Sequence, residues 1–585
     1  PALQFSRKSS IIKGIFPNRK GERHMGRYAI GVDYGSLSGR AVLVNLETGR
    51  EAASAVYEYP HGVMDEALPD GTPLPHGWAL QHPQDYLDVL AQTVPRVLQE
   101  AEVSPAEVVS IGVDCTASTV MPVRSDGTPL CLLPEFAGRP HAYVKMWKHH
   151  AAQPLAGEMT RVARERGEPW LPYYGGRVSS EWSLPKLWEL YREDREVYDR
   201  MDRWVEAADW VVWKLCGKLT HNACAAGYKS FWRKSAGGYP DRAFLAALEP
   251  GFACSVEEKI GGDPLPAWDT AGFVTKRGAA LCGLAPGTVV AVGGVDAHAA
   301  VPAAGICRPG ELLAIVGTST CHMLLGDRAL PVPGICGCVE DGILPGLFGY
   351  EAGQPCVGDS FAWYLENCLP ASVREEAGRA GQGLHAFLRG RAARLRPGQS
   401  GLIALDWWNG NRSVLNDADL SGLLLGMTLR TRPEEIYRAM LEATAYGARM
   451  IVETYRAHGL PVNRFVASGG IPKKDPLMMQ IYADVLNMPV YVAESTQGAA
   501  LGSAICGAVA AGEKRGGFAS MEEAVQSLGR QCPEPYLPDA HSAAVYDRLF
   551  SVYRSLHDLF GRGGNDAMKR LLALQREAAA DVPAE

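Results

Sequence analysis

The feature that most constrains this chain is one short pattern met twice: a hydrophobic strand runs into a glycine, a small hydroxyl-bearing turn follows, and a second strand leaves it. It appears as RYAIGVD, YGSLSGR and AVLVNLE from Arg27, and again as GELLAIV, GTST and CHMLLGD from Gly310. Gly35 and Gly317 stand 282 residues apart. No linker rich in Pro or Ser lies between them, so the pattern predicts two related halves that share an extensive interface and a cleft. Chance likeness between glycine-rich strand ends is the alternative on periodicity alone.

The intervening sequence alternates strand and helix. A Thr48-Gly49 turn leads to the strand EAASAVYEY. A helix is predicted from about Pro83 to Glu102, with Leu87, Leu90, Val94 and Leu98 on one face, and the buried-type strand VVSIGVD then ends at Asp114. Glu181 to Leu215 reads as aromatic and helical, a polar glycine-containing segment His221 to Arg233 follows, and VVAVGGVD ends at Asp296. The second half supplies FVASGG at Phe465 to Gly470, a helix from about Asp475 to Leu486, the strand PVYVAE and a Gly/Ala helix from Gly498. The expected class is therefore α/β.

Composition removes several partners. A net charge of -7 gives no cationic field for nucleic acid. The longest small-apolar stretch, Gly498 to Gly512, falls short of the roughly 20 residues a membrane span needs. Fourteen cysteines are scattered, and only Cys336 and Cys338 lie within four residues of each other, which argues against a zinc framework and for reduced thiols in the cytoplasm. Residues 1–24 hold Arg7, Lys8, Lys13, Arg19, Lys20 and Arg23 against the single acid Glu22. Without a long apolar core they read as a disordered extension or a misassigned start, in preference to a targeting peptide.

Several residues carry chemistry at strand ends. Asp33 closes a strand just before Gly35, Ser36, Ser38, Gly39 and Arg40, where a hard cation would find an oxygen ligand and a phosphate would find backbone amides and hydroxyls. A plain hairpin fits the same residues. The Gly317, Thr318, Ser319, Thr320 turn could grip a polyphosphate from the opposite side, although neither turn matches the Walker or GxGxxG pattern. Asp296 stands where ligands gather in α/β sheets, and a helix N-cap is the alternative. His298 beside it reads as a packed, hydrogen-bonded histidine. The Ser468 to Lys473 loop would let a flat base approach its backbone, or would be a tight connection only. Lys229 and Glu351 could hydrogen-bond a polyol or be exposed loop charges, and Trp147 could wall a pocket or fill a core.

These segments together resemble the FGGY carbohydrate kinases. GVDYGSLSGRAVLV, VGGVDAHAA, VGTSTCHMLLG, ASGGIPKKDPLMMQIYADVLN and GLLLGMTLRTRPEEIYRAMLE stand in the family's order. VKMWKHHAAQ, SSEWSLPKLWEL, EAADWVVWKL, CAAGYKSFW, GYEAGQPCVGDSFAW and ALDWWNGNRS resemble the members that phosphorylate ribulose. The likeness runs from about Arg27 to near Gly561.

The resemblance implies two ribonuclease-H-like domains of the actin-like ATPase fold: a sugar-binding domain over 25–298, an ATP-binding domain over 299–561 and a tail over 562–585. It implies Asp296 as catalytic base, Asp33 and Asp296 near Mg²⁺, and Ala117, Trp147, Lys229 and Glu351 around the ribulose. It implies Ser36, Arg40, Gly317, Thr318 and Ser319 at the phosphates of ATP, with Gly469, Gly470 and Lys473 at adenosine. Ser36 departs from the Thr of many sugar kinases and keeps the hydroxyl. The implied reaction is phosphorylation of L-ribulose at O5, with D-ribulose also a candidate, feeding arabinose catabolism, and a homodimer is compatible with it. Another ketose or polyol kinase is the nearest rival, and a noncatalytic ATPase on the same fold is the more distant one.

Overall fold

The computed structural model describes residues 26–580. The basic segment 1–24 lies outside the described residues.

In the first half, strands β1 (Tyr28–Tyr34), β2 (Ser38–Asn45) and β3 (Glu51–Glu58) form the expected antiparallel meander. Helix α1 (Pro83–Glu100) then leads to β4 (Val108–Cys115), parallel to β1 with Asp33 opposite Asp114. α1 starts on the His82 cap with Pro83 in its first turn, and buries Tyr86, Val89, Leu90, Val94, Val97 and Leu98 at helical spacing. Leu87, expected on that face, is only half-buried. β1 and β4 are buried almost end to end because helices cover both faces of the sheet.

The segment from 181 to 215 is not one helical run. The two aromatic runs that suggested helices, EWSLPKLWELY and ADWVVWKL, form α2 (Ser183–Glu193) and α3 (Ala207–Cys216), and between them lies a strand at Arg203–Glu206 whose Trp204 and Val205 are buried. The polar segment at 221–233 contains a buried helix, α4 (Ala223–Ser230), capped by the Asn222 carboxamide.

The strand expected to reach Asp296 unbroken is two pieces, β6 (Val289–Ala291) and β7 (Gly294–Val295), with antiparallel β5 (Thr270–Phe273) alongside β6. Gly293 between the pieces has φ of 90°, a conformation that ends a strand and suits glycine. The sheet order is β3-β2-β1-β4-β6-β5, with β7 also on β4. Helix α5 (Asp296–Ala303) leaves it and spans the 298/299 position between the two halves.

The second half repeats the plan. β8 (Glu311–Val316) and β9 (Thr320–Gly326) form its opening hairpin, followed by β10 (Gly337–Glu340) and β11 (Phe348–Gln354). Helix α6 (Pro433–Ala457), β12 (Arg464–Ser468), α7 (Pro476–Leu486) and β13 (Val490–Val492) follow. The sheet order is β10-β11-β9-β8-β12-β13, with β8 and β12 parallel. The stretch expected to be a tail contains a helix over Ala567–Ala580.

Helix α8 (Gly498–Ala511) joins the halves. Although it belongs to the second half by sequence, it lies against β1 and β4 of the first. A Cβ on Gly31 would fall 1.7 Å from the Ala500 carbonyl oxygen, and one on Gly112 would fall 1.9 Å from that of Ser503. Only glycine admits a helix that close to a sheet. The same apolar cluster draws Ala29, Val42 and Val44 from one half and Leu313, Met323 and Ile505 from the other. Every cysteine is an unpaired thiol. Among the described residues no helix is long and apolar enough to cross a membrane.

Candidate active site

A cavity of about 410 Å³ opens between the halves at the carboxyl ends of the parallel strands. Its lining brings together Asp33, Ser36, Arg40, Ala117, Trp147, Lys229, Asp296, Gly317, Thr318, Ser319, Glu351 and Gly469. The resemblance to the FGGY kinases implies these residues in one site, although they span more than four hundred positions. Gly470 opens a short helix over Gly470–Lys474, and exposed Lys473 donates to the Glu494 carbonyl, so neither of these two lines the cavity.

Three carboxyls gather at the strand ends. Asp33 and Asp114 face each other across β1 and β4, and Asp296 follows β7, which pairs with β4 at Asp114 and Cys115. Burial, then the Asp33 charge, pushes the Asp114 carboxyl well above its ordinary range. Ser503 of α8 donates to its Oδ2, while Oδ1 has no hydrogen-bond partner among the described residues. Burial also raises Asp33, against which Arg40 works from 3.3 Å. Asp296 is pushed up to about 7, chiefly by burial and then by the Asp33 charge. It does not cap α5 as an Asp N-cap would: the cap position is Val295, and Asp296 Oδ1 accepts only the adjacent Ala297 N–H at 2.7 Å. Its other oxygen accepts no hydrogen bond among the described residues, and Asp296 lines the cavity. Clustered carboxyl oxygens are the donor set a hard divalent cation takes, and Asp33 and Asp296, which both line the cavity, fit Mg²⁺.

The two turns differ in chemistry. In the first, Trp147 donates its indole N–H to Ser36 Oγ at 3.0 Å, and Gln81 donates its amide to the Ser36 carbonyl at 2.9 Å. In the second, Gly317 N–H donates to the Ser319 carbonyl at 2.9 Å, and Val357 N–H donates to the Thr318 carbonyl at 2.7 Å. Gly469, at φ of 104°, leads β12 into the cavity wall beside Ser468.

Lys229 and Glu351 are not exposed loop charges. Lys229 projects from buried α4 and Glu351 from β11, with Nζ at 2.9 and 2.8 Å from the two carboxylate oxygens. Burial alone would lower the Lys229 ammonium, yet Glu351 holds it above its ordinary value. Burial likewise pulls Glu351 up, and the charges of Lys229 and Arg412 outweigh it. His298 is packed on Tyr228 as expected, with ring centroids 4.1 Å apart. The hydrogen bonds expected of it are not made: its nitrogens have no partner among the described residues, and burial lowers it to about 4, so it is neutral.

Four further residues were not foreseen. The ammonium of fully buried Lys186 donates to the carbonyls of Ser118 at 2.7 Å and Met146 at 2.8 Å, fixing the backbone beside Ala117 and Trp147. Asp114 was noted only as a strand end. Arg412 and Glu181 line the cavity from opposite halves. A signal was present in the quoted runs SSEWSLPKLWEL and ALDWWNGNRS, where isolated charges stand among aromatics.

Residues 28–302 match the N-terminal domain and residues 312–511 the C-terminal domain of the FGGY family of carbohydrate kinases. The chain belongs to the FGGY family of carbohydrate kinases. It is 53% identical over 546 residues to a protein of Anoxybacillus flavithermus named Ribulokinase, covering 93% of this chain and 96% of that one. It is 49% identical over 555 residues to one of the same name from Mycolicibacterium smegmatis, covering 94% and 97%. Among solved structures it resembles a xylulose kinase from Rhodospirillum rubrum, with a TM-score of 0.74, 24% identity and coverage of 91% and 98%. It also resembles a gluconate kinase from Lactobacillus acidophilus, with a TM-score of 0.76, 17% identity and coverage of 92% and 99%. These two show the fold, which is that of the actin-like ATPases with two ribonuclease-H-like domains. This FGGY protein is a sugar kinase.

Proposed function

We propose that this kinase transfers the γ-phosphoryl group of ATP to the O5 hydroxyl of ribulose, with the L-sugar as its main substrate, and that it works in the cytoplasm within arabinose catabolism. The observation that carries the reading is the buried Lys229–Glu351 pair, held beside Asp296 and Trp147 in a cavity of about 410 Å³. A paired ammonium and carboxylate offer donors and acceptors suited to neighbouring hydroxyls, and the indole gives an apolar wall. The name shared by relatives that are 53% and 49% identical over nearly the full chain supports the same substrate.

In this reading Asp296 takes the proton from the O5 hydroxyl through its free oxygen, and its raised pKa lets it exchange that proton near neutrality. Arg40 and the Ser36 hydroxyl meet phosphate oxygens from one side. The Gly317, Thr318 and Ser319 turn meets them from the other, and Gly469 lies against adenosine with Gly470 and Lys473 following. Asp33 and Asp296 are the residues that would hold Mg²⁺, which when bound neutralises charge on the phosphate oxygens. The region 25–298 supplies the base and most of the sugar contacts and 299–561 the nucleotide contacts, with Glu351 crossing over to the sugar. Closure about the cleft excludes water from the phosphoryl group.

The test is ADP release coupled to NADH oxidation over L-ribulose, D-ribulose, D-xylulose and ribitol. The expected result is the highest kcat/KM for L-ribulose and little release without sugar. A higher value for D-xylulose overturns the substrate assignment, and rapid sugar-independent release overturns the kinase mechanism.

A further inference from the structure

His298 lines the cavity beside the Lys229–Glu351 pair with its polar atoms unused. It is 3% exposed, and neither ring nitrogen has a hydrogen-bond partner among the described residues. A buried polar atom left unbonded is costly, so an imidazole in this position calls for a partner that arrives with the ligand or with solvent. The ring is held in place by packing. It lies on the Tyr228 ring, with centroids 4.1 Å apart and planes at 37°, and Tyr228 precedes Lys229 on α4.

Two places can supply that partner. His298 Nε2 lies 3.5 Å from Glu351 Oε2, at the limit of a direct hydrogen bond, and Glu351 lines the same cavity. The same oxygen accepts from Lys229 Nζ at 2.8 Å and, as a carboxylate oxygen, can take a second donor. His298 also lines a second, small cavity of about 20 Å³, together with Cys224, Gly293, Gly294 and Ser503. That volume suffices for one water.

The pairing of these two atoms has a specific chemistry. A carboxylate only accepts, so whatever bonds Oε2 must bring a proton. A group that gives its one proton to Oε2 can meet Nε2 only as an acceptor, and the imidazole must then carry its proton on Nε2. A hydroxyl meets both demands at once, whereas a ketone oxygen has no proton for the carboxylate. With the proton on Nε2, Nδ1 becomes an acceptor, which a water in the small cavity satisfies.

We infer that His298 is a substrate-binding residue whose Nε2–H donates to a sugar hydroxyl that itself donates to Glu351 Oε2, while Nδ1 accepts from a water in the small cavity. The two side chains mark one position of the sugar at which a hydroxyl is preferred to a bare carbon. This rests on the ribulose reading above.

The test compares His298→Phe and His298→Gln with the unaltered enzyme by calorimetric titration with L-ribulose and its 1-, 3-, 4- and 5-deoxy forms, by steady-state kinetics, and by nitrogen NMR of the labelled histidine. His298→Phe keeps the ring on Tyr228 and removes the N–H. It should weaken L-ribulose binding about 3- to 10-fold, as the loss of a neutral hydrogen bond does, with the KM for ATP changed by less than about twofold. His298→Gln, whose amide nitrogen can take the place of Nε2, should restore binding to within about twofold. One deoxy sugar should bind the unaltered enzyme more weakly than L-ribulose does and lose little further in His298→Phe, whereas the variant should weaken the other three as much as it weakens L-ribulose. The NMR should place the proton of the unaltered imidazole on Nε2. If His298→Phe fails to fold, His298→Leu gives the same comparison. Unchanged L-ribulose binding in the Phe variant, equal weakening of all four deoxy sugars by it, or a proton on Nδ1 overturns the inference while leaving ribulose phosphorylation standing. Failure of the unaltered enzyme to phosphorylate any pentulose overturns the functional reading and this inference with it.

Discussion

The two halves build the same antiparallel hairpin beside the same parallel strand, yet they end those strands with opposite chemistry. In the first half the strand ends carry Asp33, Asp114 and, after the broken strand, Asp296. In the second half the positions matching Asp33 and Asp114 carry Ile315 and Ser468, and the turn after β8 carries Gly317, Thr318 and Ser319. On the proposed reading the first half presents carboxylates to a proton and a cation and Ser36 with Arg40 to phosphate oxygens, while its copy meets those oxygens with the amides and hydroxyls of its turn alone. Strand-end geometry fixes where a group sits, and side-chain choice at that place decides what it does.

The comparison is broken most sharply at Asp296. Asp296→Asn keeps the shape and removes the base, so kcat should fall by roughly 10² to 10⁴ while calorimetry shows sugar and nucleotide still bound. Near-normal turnover would assign the proton to another group and leave the first half's acids with a structural role.

Lys229→Ala and Glu351→Ala should each raise the ribulose KM about 10- to 100-fold with the KM for ATP little changed, because each removes a charged hydrogen-bonding group from the sugar. One residue of this pair comes from each half. If Glu351→Ala changed ATP use and left ribulose alone, the second half would serve the nucleotide only.

A smaller effect appears in the pH dependence. On the proposed mechanism Asp296 acts as a carboxylate and burial pushes it up to about 7, so kcat/KM should fall about tenfold per pH unit below that value and level off above it. Asp296→Asn should flatten this acidic limb. A limb that persists in the variant belongs to a different group.

The mildest test is Trp147→Phe, which keeps the apolar wall and deletes the 3.0 Å bond to Ser36 Oγ. A neutral hydrogen bond of ordinary strength predicts a loss of about 2- to 10-fold in kcat/KM. No loss would show that the first turn holds its shape through Gln81 and its backbone bonds, without the indole.

Much of this was legible in the sequence because strand ends announce themselves. Asp33, Asp296 and the Gly317 turn each follow an apolar run, and the repeat 282 residues apart gives the two-half plan. Arg412, Glu181 and Lys186 were not legible as site residues, since each acquires its role from partners between 40 and 231 positions away. The strand at Arg203–Glu206 was hidden because Trp and Val serve buried strands and buried helices equally. The helix of Lys229 was hidden because ACAAGYKS is buried on every side and shows no polar face from which to read a period.

Helix α8 has a consequence for how the chain comes into being. It covers β1 and β4, yet it ends at Ala511, long after β4 ends at Cys115. At typical synthesis rates of about 5–20 residues per second, the sheet waits on the order of 20–80 s for its cover. During that interval the nascent first half presents an uncovered apolar face, and its glycines leave the backbone of β1 and β4 open to whatever strand or helix arrives first. Ribosome-bound chains arrested before residue 498 should therefore be captured by chaperones and cut readily by protease, whereas chains released after the helix has emerged should resist both.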